Sequence, residues 1–210
     1  MALMDDYELT VAASPDRSVT IFTMRQQNQL TNHFLIAMPG LADPNFFHTV
    51  TYLCEHSEQG AMGLVINRPM DLQLADIFEQ LEIKISDPTL SQVPVYMGGP
   101  VQGDRGFVLH NTDSEWDSTL RVTDEISVTT SMDILQAIAA GQGPAHTLVT
   151  LGYAGWGAGQ LEEEMAQNAW LSGPARSDII FKRASDQRWQ AAADLLGVDL
   201  NLLSSEAGHA

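Results

Sequence analysis

An α+β fold with a mixed or mainly antiparallel sheet is predicted for this chain on three observations. Short apolar runs of strand length outnumber the amphipathic helical stretches. They cluster in the middle of the sequence instead of alternating with helices, which disfavours a doubly wound sheet. Two of them, "HTVTYLCEH" and "AMGLVIN", are joined only through Ser57 to Gly60, the spacing of a hairpin. At 210 residues, 44% of them apolar and 18% charged, the chain suits one compact domain.

Residues 1–30 carry few strong apolar groups, a Ser14-Pro15-Asp16 turn signal and the start of a polar "RQQNQLTN" run. They read as a weakly ordered N-terminal extension, with Val19 to Met24 available as an edge strand. A single domain is expected over 31–210. It opens near His33 with "HFLIAM", which Pro39-Gly40 stops; "ADPNFFHT" is then a turn with Phe46 and Phe47 as core anchors. After the hairpin and "RPMD", Leu74, Ile77, Phe78 and Leu81 fall at i, i+3, i+4 and i+7, one stripe of a helix that Asp71 is placed to cap.

"VPVYM", "GFVLH", "TLRVT" and "ISVTT" follow as four short strands whose spacing suggests antiparallel pairing. Thr130 with Asp133 forms a capping box for a helix through Ile134, Leu135 and Ile138, closed by Gly141. "HTLVTL" is a buried strand, and Gln160 to Asn168 a helix with Leu161 and Met165 inward. Beyond "SDIIFK", a last helix runs from about Trp189 to Leu196 and ends at Gly197.

Charge narrows the function classes. With 27 acidic against 10 basic residues the net charge is −17, and a surface this negative repels polyanions, so nucleic acid and anionic membranes are disfavoured partners. No run reaches the ~18 apolar residues of a membrane span, and "MALMDDYELT" lacks the basic and apolar regions of a secretory signal. A single cysteine, Cys54, excludes an intramolecular disulfide and fits a reducing compartment. A cytoplasmic location is the expectation.

The stretch "LGYAGWGAGQLEEEMAQNAW", with glycines at 152, 155, 157 and 159 between a strand and a helix, invites a phosphate-loop reading. A P-loop needs Lys and Ser or Thr after the glycines, whereas Gln160, Leu161 and Glu162 stand there, and the spacing is not that of a dinucleotide fingerprint. With Gly159 as N-cap, Glu162 to Glu164 already complement the helix terminus and would repel a phosphate. The glycines therefore read as a tight connection, with Trp156 either a core plug or a ligand platform.

Cys54 and His56 lie two apart in a predicted strand and so on one face, the arrangement of a thiol dyad; equally, Cys54 is a small core residue. No orienting acid or oxyanion motif accompanies them. The six histidines show no zinc spacing, and no metal or cofactor site is expected. Arg68, one of few cations and held extended before Pro69, either pairs with a carboxylate or grips an anionic partner. Gly98-Gly99-Pro100 makes a turn or offers N–H groups to an anion. Asn67, Arg68, Gly98, Gly99, Gly155 and Trp156 are accordingly the candidate ligand or partner surface, with no residue assigned as catalytic.

Three stretches, "HFLIAMPGLADPNFFHTVTYLCEHSEQGAMGLVINRP", "YMGGPVQGDRGFVLH" and "LGYAGWGAGQLEEEMAQNAWL", resemble the AlgH/YqgE family of bacterial proteins in order and spacing. The resemblance covers 31–210 and includes Pro39, Asp43, Phe46, His56, Gly63, Asn67 to Pro69, Gly98 to Pro100, Gly155, Trp156, Gln160 to Glu162, Asn168 and Trp170. It implies a strongly bent mixed sheet, partly closed into a barrel-like core with helices outside. It implies no enzymatic activity, cofactor or catalytic residues, and a transcriptional-regulator label that stems from a genetic association with alginate production. The combined expectation is a non-catalytic accessory protein or regulator acting through a protein partner or a small ligand. The alternatives are an anion-binding or small-molecule module around Arg68 and the glycine turns, a thiol enzyme using Cys54 and His56, and a direct DNA-binding regulator, the last opposed by charge.

Overall fold

A computed structural model of the protein describes residues 30–203. The predicted extension and the strand at Val19 to Met24 lie outside the described residues, apart from Leu30. The strands are β1 (His33–Ala37), β2 (Val50–Ser57), β3 (Gly60–Val65), β4 (Pro69–Gln73), β5 (Pro94–Met97), β6 (Val101–Asn111), β7 (Thr119–Arg121), β8 (Ile126–Thr129), β9 (Thr147–Gly157) and β10 (Trp170–Pro174). The helices are α1 (Leu74–Gln80), α2 (Met132–Ala139), α3 (Gln160–Ala166), α4 (Ser177–Phe181) and α5 (Arg188–Asp194). The architecture is α+β, a curled, mainly antiparallel sheet flanked by helices, in the order β10-β1-β2-β3-β9-β6-β8-β7, with β4 and β5 joined at one side.

β9 explains the curl. Along one edge it pairs with β6, Thr147 to Leu151 against Gly106 to His110; along the other its neighbour changes midway. Thr150 and Leu151 run parallel to Tyr96 and Met97 of β5, whereas Ala154 to Gly157 run antiparallel to β3. The chain leaving β5 crosses this junction at Gly98, whose N–H donates to the Leu151 carbonyl and whose carbonyl accepts from Val65 N–H, both at 2.8 Å. At Gly99, with φ of 154°, a Cβ would lie 2.2 Å from the Tyr153 carbonyl carbon, so only glycine admits this approach of backbone to backbone.

Over β1, Val50 to Cys54 of β2 and Leu148 to Thr150 of β9 both faces of the sheet are buried, which is why these strands read as apolar runs and not as clean alternations. On one face Phe34, Ile36, Tyr52, Leu64 and Phe107 meet Ile179, Ile180 and Ala192 of α4 and α5. On the other, Leu35, Leu53, Ala154 and Trp156 meet Leu161 of α3. A third cluster forms where Val95, Val108 and Val149 receive Leu74 and Phe78 of α1 and Ile134 and Ile138 of α2.

Several local expectations change. α1 is capped by Gln73, whose N–H donates to Asp76 at 2.7 Å, and not by Asp71, which lies in β4. α2 starts from Ser131 instead of Thr130; Asp133 accepts from the N–H groups of Ile134 and Asp117, each at 2.9 Å. β5 runs parallel to β9, to which it is connected through β6, β7, β8 and α2, while its pairing with β4 is antiparallel. "SDIIFK", whose apolar run is too short to show a helical period, forms α4 over Ser177–Phe181. Phe46 packs among the tryptophans, but Phe47 is 47% exposed, stacked on His48, which in turn stacks on Trp189.

Candidate functional site

The glycine-rich strand-to-helix turn resolves into a closed set of polar contacts. Gly159 takes the left-handed conformation at the N-cap of α3. Gln160 accepts the Gly157 N–H at 3.0 Å and donates to Glu164 at 2.9 Å. The other oxygen of Glu164 accepts both indole N–H groups, from Trp156 at 2.9 Å and Trp170 at 2.8 Å. Trp156 is a plug: its ring is buried, stacked on Phe46 with centroids 6.1 Å apart and edge-on to Trp170. Glu162 and Glu163 stand in the first turn of α3, where their charge opposes a phosphate.

Cys54 and His56 do not form a dyad. A β-bulge between Leu53 and Glu55 adds one residue to β2 and breaks the parity that sequence spacing assumes. Cys54 stays in the cluster with Tyr52 and Leu64, its thiol facing the Tyr52 carbonyl, while His56 sits opposite Ala61 on the other face. Burial, then the neighbouring Glu55 charge, pushes the thiol pKa far up, so no nucleophilic thiolate forms at neutral pH. The His56 ring is fully engaged: Nδ1 accepts the Leu30 N–H at 2.9 Å, which places the proton on Nε2, and Nε2 donates to Glu162 at 2.8 Å.

Asn67 and Arg68 shape the loop before β2. Asn67 accepts the Val50 N–H and donates to the His48 carbonyl, each at 2.9 Å; Arg68 donates to the carbonyls of Asn45 at 2.9 Å and Phe47 at 3.5 Å. Arg68 does not pair with a described carboxylate: its partners are backbone oxygens of a turn whose Asn45, Phe46 and Phe47 N–H groups fold back onto Asp43. Gly98 and Gly99 are buried in the β9 junction, their contacts taken by backbone. The six candidate residues therefore do not surround one cavity.

A concavity of about 730 Å³ lies elsewhere, across β2, β3, β9, β6 and β7–β8, and of the six only Gly155 and Trp156 border it. Met62, Val101, Phe107, Leu120, Val128 and Tyr153 supply its apolar surface; Ser57, Gln59, Gln102, Ser118 and Thr130 supply neutral polar groups. One cation and one carboxylate line it, Arg105 and Glu55. Such a volume is in the range of small-molecule sites.

Arg105 is aimed by an interruption of β6. Val101 pairs with Tyr153 and Gly106 with Leu151, so Gln102 to Arg105 stand opposite the single residue Gly152. This large bulge lifts the guanidinium over the Phe107 ring, 5.4 Å from its centroid. Its hydrogen bonds are long and to neutral acceptors, Gln102 at 3.3 Å and Thr130 at 3.4 Å, and no described carboxylate pairs with it. Gln102 and Ser118, both at the cleft, hold positive φ of 50° and 48°, strain of the kind that collects around binding sites. The sequence did carry a signal for this site: glycines at 103 and 106 flanking Asp104-Arg105 inside a strand pattern mark a bulge. A second concavity of about 370 Å³ is lined by Asp113, Asp124, Glu125 and His146 among others, and no described group of three or more His, Cys, Asp or Glu is placed to hold a metal ion. No described helix is long and apolar enough to cross a membrane.

The fold and much of the sequence recur in known proteins. A UPF0301 protein of Thioalkalivibrio sulfidiphilus is 60% identical over 187 residues, 89% of this chain and all of that one. Another from Pseudomonas fluorescens is 57% identical over 182 residues, 86% of this chain and 96% of that one. The solution structure of the AlgH protein from Pseudomonas aeruginosa, 51% identical, covers 96% of this chain and 100% of its own with a TM-score of 0.73. A crystal structure from Corynebacterium diphtheriae, 18% identical, shares the fold with a TM-score of 0.66, covering 83% of this chain and 91% of its own. With the AlgH-like family model matching residues 34–201 as well, the chain belongs to the AlgH-like family.

Proposed function

We propose that this AlgH-like protein is a non-catalytic accessory protein that works by binding, and that the 730 Å³ cleft is where it binds. One observation carries the reading: an apolar-floored cleft of ligand size over which a strand bulge holds an arginine with only weak neutral partners. A nucleophile and a base in contact would favour an enzyme, but Cys54 is buried and protonated and both nitrogens of His56 are occupied. Any regulatory role then runs through the occupant of the cleft, since a net charge of −17 opposes direct duplex binding. A lone buried thiol supports a reducing, cytoplasmic setting.

The test is a screen of small aromatic fragments by amide chemical-shift mapping on the 15N-labelled chain. Shifts are expected to gather at Met62, Gln102, Arg105, Leu120 and Gly155. Binding that leaves these amides unmoved while shifting the Asn67 and Arg68 loop, or no saturable binding at all, overturns the reading.

A further inference from the structure

We propose that the cleft selects an apolar-bodied monoanion, a small aromatic or aliphatic carboxylate, seated with its negative group on Arg105, and that Glu55 excludes ligands with a second negative charge. This deepens the binding reading above and rests on it.

The argument starts from what Arg105 lacks. Guanidinium–carboxylate hydrogen bonds settle near 2.7–2.9 Å and are about twice as strong as those to neutral acceptors. Arg105 makes only the 3.3 and 3.4 Å contacts to Gln102 and Thr130, so an incoming carboxylate displaces little. Arg121 and Arg176, by contrast, have Asp124 at 3.2 Å and Asp178 at 2.9 Å. Phe107 engages the face of the guanidinium and leaves its N–H edges, held only by these two long contacts, to a planar anion, and the Thr130 hydroxyl adds a donor beside it.

The body of the ligand follows from the floor. Phe107 and Tyr153 lie with ring centroids 5.6 Å apart, continuous with Met62 and Val128, a surface for a flat or branched apolar group and not for a sugar. Glu55 sets the far limit. It projects from β2 opposite Met62, three strand positions from the Arg105 bulge across β3 and β9, which corresponds to roughly 14 Å at normal strand spacing. A second anionic group reaching across the cleft would meet that carboxylate within a chain already strongly negative. Dianions and nucleotides are thereby disfavoured, and a monoanion is held by the one cation present.

The experiment uses three naphthalene probes on the full chain: 1-naphthoate, 1-naphthylmethylammonium and naphthalene-2,6-dicarboxylate, each titrated by amide chemical shifts. Naphthoate is expected to bind at the cleft roughly tenfold more tightly than either of the others. Arg105→Gln should erase that preference and Arg105→Lys retain part of it. Glu55→Gln should bring the dicarboxylate to within a few fold of naphthoate. Both side chains are exposed, and unchanged thermal unfolding of the variants would confirm folding. Equal or tighter binding of the ammonium probe, or an Arg105→Gln protein with unaltered selectivity, overturns the proposal. All three probes binding the cleft with equal affinity would defeat it while leaving the binding reading intact. No binding in the cleft by any probe defeats both.

Discussion

His110 shows how one buried residue writes itself into the pH dependence of the whole protein. It is fully buried in β6, Nδ1 2.8 Å from the Asn111 carbonyl and Nε2 2.8 Å from the Thr129 hydroxyl, so the neutral ring carries its proton on Nδ1 and accepts at Nε2. Burial holds its pKa below the ordinary 6.5, outweighing the Asn111 carbonyl and the Asp113 charge that favour the cation. The unfolded ring therefore takes up a proton first; the stability due to neutral His110 is complete above pH 6.5 and is lost as pH falls through that value toward the folded one. His110→Gln should flatten the denaturation midpoint between pH 7 and about pH 5, and a wild-type ring resonance titrating at or above 6.5 would contradict this. Glu164 is the second such residue, its one oxygen shared by two indole N–H groups. Glu164→Gln places an amide N–H against one donor and should cost on the order of 1–3 kcal/mol in urea denaturation, with a shift in tryptophan emission. Cys54 should react with a thiol reagent roughly a thousandfold more slowly than free cysteine, at a rate set by opening of the β1–β3 core. Fast modification of the folded protein would mean that the thiol is reachable.

At the scale of elements, the junction of β3, β5 and β9 holds the fold together, and Gly99 is its tightest point. A methyl there overlaps the Tyr153 backbone, so Gly99→Ala should destabilise by about 3 kcal/mol or more, measured as a drop in the urea midpoint with an unchanged slope. A loss below about 1 kcal/mol would show that the junction yields. This junction also marks where the sequence stops being legible. The β2–β3 hairpin, α1 and the strand runs were readable because periodicity and turn chemistry are local properties. The register between distant strands is not local: the bulge that parts Cys54 from His56 depends on β3, and the wide bulge that aims Arg105 depends on Gly152 of β9. Asn67, Arg68, Gly98 and Gly99 stand out in the sequence because backbone must be gripped or approached there. The same holds for α4, whose five residues show too little of a helical period to be seen.

The whole molecule is governed by its charge. Among the described cations, Arg105 is in the cleft, Arg68 on the Asn45–Phe47 turn, Arg121 on Asp124, Arg176 on Asp178 and Arg188 buried against Tyr96, while Lys84 follows α1 and Lys182 and Arg183 follow α4. Neither of the two concavities described above holds more than one of them, so neither offers a phosphate backbone a stripe of positive charge. Random duplex DNA should show no saturable binding at micromolar protein and 150 mM salt. The same charge acts on the protein itself. Its ion pairs Arg121–Asp124 and Arg176–Asp178 are solvent-exposed and contribute little, whereas −17 charges repel one another throughout the compact state. Added salt screens that repulsion over about 10 Å at 0.1 M and shorter distances above it, and it costs only weak pairs in return. Raising sodium chloride from about 10 mM to 0.5 M should therefore lift the thermal midpoint by several degrees, most of it below about 0.2 M where the screening length changes fastest. A midpoint that falls with salt would mean that attraction between opposite charges outweighs the excess of negative ones, and would return a focused positive surface to consideration.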